Sequence, residues 1–135
     1  MNWKHGIIAG LVTFAVTFVV SMVLEFAYPP RSYWFISQFP KLMVGSGLVL
    51  AVFSMVVSAF VMGIAYQKLH SVVPGSGIRK GATYGLMFFF IGGLMFPIMM
   101  FGYAPLMIAI SEMVFSAINY IIAGIAVQKI YAKLN

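Results

Sequence analysis

Residues 42–66 read LMVGSGLVLAVFSMVVSAFVMGIAY, an uninterrupted run without a charged side chain. A helix rises about 1.5 Å per residue, so roughly 20 apolar residues span the hydrocarbon core of a bilayer. A helix on the surface of a soluble protein keeps one polar face, and this stretch has none. It therefore belongs in lipid. The whole chain agrees: of 135 residues 63% are hydrophobic and 7% charged, against about 45–50% and about 25% in soluble domains.

Three further segments share this character, so the expectation is an all-α integral membrane protein, one domain over 1–135, with transmembrane helices at about 6–28, 42–67, 81–103 and 104–130. Pro29-Pro30 ends the first, and Tyr33 and Trp34 carry amphipathic rings that favour the headgroup region. Residues 32–39 then lie in the outer interface, as a short helix or an extended cap. Pro74-Gly75-Ser76-Gly77 is a turn. The connection Gly102-Tyr103-Ala104-Pro105 is short enough to make its helices adjacent and antiparallel. The first segment is too long for a secretory signal and lacks a clear cleavage site, so it reads as a retained helix.

Eight Lys/Arg oppose two Asp/Glu, a net charge of +6. Lys4, Lys68, Arg79, Lys80, Lys129 and Lys133 fall on one side of the spans, Arg31 and Lys41 on the other. Basic residues mark the cytoplasmic side, which places both termini there. So few charges give no basic surface of the density that nucleic-acid binding needs.

The chain also resembles itself. At an offset of 75, Lys4-His5-Gly6 and Gly10-Leu11 match Arg79-Lys80-Gly81 and Gly85-Leu86, and Phe26-Ala27-Tyr28-Pro29-Pro30 matches Phe101-Gly102-Tyr103-Ala104-Pro105. Gly63-Ile64-Ala65-Tyr66-Gln67-Lys68-Leu69 recurs as Gly124-Ile125-Ala126-Val127-Gln128-Lys129-Ile130. The expected organisation is two tandem hairpin repeats, 1–69 and 79–131, parallel and related by a pseudo-twofold axis along the membrane normal. The alternative is the shared grammar of helix ends in lipid. Gly6, Gly10 and Gly63, with Gly81, Gly85 and Gly124, are expected to let helices pack closely, either within the chain or between copies.

Thr13, Thr17, Ser21 and Glu25 recur every four residues and form one polar stripe on the first helix, where the second copy has Phe88, Gly92, Phe96 and Met100. Glu112, Ser116 and Asn119 share a face of the last helix, and Ser54 and Ser58 one of the second. Such faces are costly against lipid, so they are expected to converge on the interior or on a partner. Glu25 and Glu112, the only carboxylates, have two readings. They pair with Arg31 and Lys41, leaving the outer half neutral, or they form a shared cation or proton site with Thr17, Ser21, Ser116 and Asn119.

The absence of cysteine excludes thiolate chemistry. Eleven methionines invite a copper reading through Met95-x-x-x-Met99, with Met22, Met43, Met100, Met107 and Met113 also toward the outer half, but Met is a routine gap-filler in apolar packing. His5 and His70 lie at the cytoplasmic ends, far from both glutamates, so no catalytic set assembles and no transmembrane haem is ligated. The expectation is a non-enzymatic membrane protein with no cofactor and no metal. It would be a subunit, scaffold or assembly partner in a homo-oligomer or hetero-complex. The alternative is a small oligomeric channel or transporter for a cation, proton or small solute that uses Glu25 and Glu112.

Overall fold

A computed structural model describes residues 2–42 and 44–134. Met43, which falls in the expected second span and among the outer methionines, lies outside the described residues. The described chain is all helix and turn: α1 (Trp3–Ala27), α2 (Pro29–Gln38), a 3-10 turn at Pro40–Leu42, α3 (Ser46–Leu69), α4 (Gly77–Phe88), a π-helical turn at Phe89–Gly93, α5 (Met95–Met100) and α6 (Leu106–Leu134). Three helices, α1, α3 and α6, are long and apolar enough to cross a membrane, with mean hydropathy 2.6, 2.5 and 1.8. Large apolar side chains such as Phe18, Val19, Phe53 and Ile91 point outward, as lipid-facing residues do.

The helix limits follow from local chemistry. Asn2 caps α1, its side chain accepting from the Lys4 amide at 3.2 Å. The interfacial segment is helical: prolines at the first two positions of α2 need no amide partner and have the φ that a helix requires. α3 starts at Ser46, not near residue 42, because Gly45 has φ +60°, a backbone conformation that favours glycine.

Over 81–103 one uninterrupted helix was expected, and here the structure differs. Helix begins earlier, at Gly77, and widens into the π turn before continuing as α5. Pro97 explains the break. It lacks the amide that would bond the Gly93 carbonyl four residues back, and the Ser116 hydroxyl donates to that carbonyl instead, at 2.9 Å. The Tyr120 ring fills the space above Gly93.

Helix α1 packs along α3, and α4 along α6, while α1 also packs on α6. The α1–α3 and α4–α6 contacts both turn on glycine. A methyl group on Gly63 would sit 2.8 Å from the Gly6 carbonyl oxygen and 2.8 Å from the Gly10 amide nitrogen. One on Gly124 would run into the Gly81 carbonyl oxygen and sit 2.5 Å from the Gly85 nitrogen. Gly6 faces Ile64 and Gln67, and Gly81 faces Ile125 and Gln128. All six glycines make these contacts within one chain, where lipid offers no hydrophobic drive and close backbone approach supplies dispersion instead.

The core sits at the end of the bundle that carries the chain termini, around Ala9, Met62, Tyr66, Tyr84, Ala123, Val127 and Tyr131. Tyr66 lies between Tyr84, ring centroids 4.9 Å apart, and Tyr131, at 5.3 Å. The Tyr84 hydroxyl donates to the Met62 carbonyl at 2.6 Å and the Tyr131 hydroxyl to the Gly63 carbonyl at 2.9 Å. A phenol without a partner in hydrocarbon would be costly, so these bonds fix α4 and α6 onto α3. Toward the opposite end α3 is exposed at Leu48, Val49, Leu50 and Phe53, and the bundle opens.

Candidate functional site

The opening is a cavity of about 260 Å³ between α1, α3 and α6. The fourfold spacing on α1 turns Thr13, Thr17, Ser21 and Glu25 toward it. α3 contributes Ser54 and Ser58, and α6 contributes Glu112, Ser116 and Asn119. Polar faces identified on three separate helices thus meet in one space. Leu24, Met55, Met62 and Phe115 form its apolar walls.

Several of the hydroxyls have local duties. Thr17 donates to the Thr13 carbonyl at 2.9 Å, an i−4 bond that leaves the helix intact. Ser21 reaches the Asn119 side-chain oxygen at 3.4 Å, joining α1 to α6. Ser116 serves the Gly93 carbonyl described above. Thr13 is different: it is fully buried, it lines the cavity, and its hydroxyl has no hydrogen-bond partner among the described residues.

At the far end the carboxylates are brought together by one residue. Tyr28 breaks the helix after Ala27, and the paired prolines start α2 in a new direction, which returns Arg31 and Ser32 over Glu25. The Arg31 Nη1 pairs with Glu25 Oε1, and the Ser32 hydroxyl donates to Glu25 Oε2. The same guanidinium donates from Nε to Glu112 Oε2 at 2.6 Å, with Nη2 2.5 Å from that oxygen. Its Cζ lies over the Phe35 ring, 5.1 Å from the centroid, and over the Phe115 ring, 5.2 Å away. The Arg31 and Glu112 side chains are 16% and 10% exposed and Glu25 35%, so Glu112 is the better-shielded partner. Two carboxylates against one guanidinium leave a single negative charge.

The expected neutral quartet is therefore a trio. Lys41 is exposed on the 3-10 turn and makes no ion pair among the described residues. Sequence reasoning also missed Ser32, Phe35 and Phe115. Phe35 was detectable in principle, since it follows Arg31 by four residues and so shares its face once α2 is taken as helical. At the other end of the helices His5 and His70 line a separate cavity of about 210 Å³ with Asn2, Tyr66, Gln67 and Tyr131.

Comparison with protein-family models, with curated proteins and with solved structures returns no match.

Proposed function

We propose that the chain is a four-span membrane protein made of two parallel hairpin repeats, and that it binds and passes a small cation, the proton included, through the cavity that holds Glu25 and Glu112. The observation that carries this reading is the convergence of both carboxylates and three polar helix faces on one cavity with a surplus negative charge. Groups of this cost in a membrane interior are retained for ion or proton pathways far more readily than for packing. All of the site comes from one chain, so no oligomer is needed to build it. A subunit or scaffold role, which the absence of a catalytic set in this sequence favours, gives the cavity nothing to do.

In this reading α4, the π turn and α5 together make the third span. The matching glycine contacts support the duplication, since Gly6, Gly10 and Gly63 relate to one another as Gly81, Gly85 and Gly124 do. The six basic residues at one end support cytoplasmic termini. With no native cysteine to remove, single cysteines at Ser76 and Ser37 give the check: a membrane-impermeant maleimide is expected to label Ser76→Cys only from the cytoplasmic side and Ser37→Cys only from outside. Labelling of both from one side ends the four-span topology.

Flux tests the activity. In proteoliposomes with an entrapped pH dye, an imposed pH gradient and diffusion potential are expected to collapse faster with the protein than without. Glu25→Gln and Glu112→Gln are each expected to slow this by about tenfold, corresponding to ~1.4 kcal/mol on the barrier. A rate equal to protein-free vesicles, or one that neither substitution changes, rejects the function.

A further inference from the structure

Arg31 occupies the place where a cation would bind. Its guanidinium has two carboxylates as ion-pair partners and two aromatic rings within cation–π distance, the kinds of group that recognise a planar, delocalised cation. Three of those four groups, Glu25, Glu112 and Phe115, belong to the long helices. Arg31 itself is carried on α2, which has no buried residue and is bounded by the non-helical Tyr28 and Phe39. Trp34 and Phe35 seat α2 on Met100, Ile108 and Ala109, and the guanidinium is the α2 cation that reaches the carboxylates.

Resting on the cation-binding reading above, we propose that the site takes small guanidinium-bearing cations and that Arg31 is a resident stand-in for them, displaced when one binds. The cavity beside Arg31 has the volume for such a solute. Charge permits exchange as well as simple addition. With Arg31 in place the trio carries one negative charge, an entering cation brings it to neutral, and departure of Arg31 restores the starting value. At no point are two carboxylates left bare against each other.

The experiment uses guanidinium chloride at low millimolar concentration on the full chain in nanodiscs, with urea as its neutral isostere and sodium chloride at matched ionic strength. Arg31→Ala is expected to bind guanidinium at least about tenfold more tightly than the wild type, because the internal competitor is gone. Urea and sodium are expected to give no saturable signal, and Glu112→Gln in the Arg31→Ala background is expected to abolish the binding. Equal responses to guanidinium and urea, or binding indifferent to Glu112→Gln, overturn the proposal. Should Arg31→Ala not be recovered folded, Trp3→Phe leaves Trp34 on α2 as the sole tryptophan. Guanidinium, and not urea, is then expected to change its emission saturably, and no such change overturns the proposal. Loss of guanidinium binding with proton flux intact rejects this inference alone, whereas binding without flux rejects transport.

Discussion

Gly124→Val is expected to destabilise the protein severely, as is a side chain at Gly85, whose Cβ would run into the Tyr120 carbonyl oxygen. The Cβ added at Gly124 would meet the Gly81 carbonyl oxygen, the Gly85 nitrogen at 2.5 Å and the Gly85 Cα at 2.7 Å. All three are backbone, so no side chain can turn aside, and α4 would have to retreat from α6 by about 1 Å along their contact. Overpacking that side chains absorb costs ~1–3 kcal/mol; separating two backbones loses the dispersion of the whole contact as well, so more than about 3 kcal/mol is expected. Gly63→Val is expected to do the same to the α1–α3 pair. Gly92→Ala is the control, because nothing lies within 4 Å of the position its methyl would take. Thermal unfolding in detergent checks all three, and a Gly124→Val protein that melts with the wild type would show that the helices do not meet in this way.

The second large effect is at Arg31. Removing it leaves Glu25 and Glu112 facing each other with no counter-charge. Breaking a well-buried ion pair from one side costs ~3–5 kcal/mol. Glu25, 35% exposed, reaches water and relieves part of this, so Arg31→Ala is expected to lose about 2–3 kcal/mol. The triple variant Arg31→Met, Glu25→Gln, Glu112→Gln is expected to recover most of that loss, since all three charges leave together and with them their desolvation cost. Denaturant-induced unfolding of both variants decides the matter. If the triple variant is no more stable than Arg31→Ala, the loss comes from the stacking on Phe35 and Phe115 and not from stranded charge.

The three long apolar helices, the packing glycines and the polar stripe on α1 are legible in the sequence because each is a pattern carried by single helices, and helix geometry is fixed. The residue pairs of the site are less so. Arg31 and Lys41 look alike in composition, and only the direction in which Pro29-Pro30 launches α2 sends one to both carboxylates and leaves the other on an exposed turn. The π turn is signalled by Pro97 alone, and the proline does not say whether the helix will stop, kink or widen. That outcome depends on Ser116, twenty-three residues after Gly93, supplying the missing donor.

The two glycine crossings have a mechanical consequence. Backbones in contact at Gly6, Gly10 and Gly63 bring α1 and α3 closest there, so a tilt of α1 about that point disturbs the contact least. The crossing is a fulcrum, and the helix beyond it is a lever. From Gly10 to Glu25 the arm is about 22 Å at ~1.5 Å per residue. A tilt of about 5° therefore carries Glu25 about 2 Å, enough to break a hydrogen bond to Arg31 while the contact at the glycines scarcely changes. The tight end of the bundle and the open end are parts of one device, in which the rigidity of the first gives the second its reach.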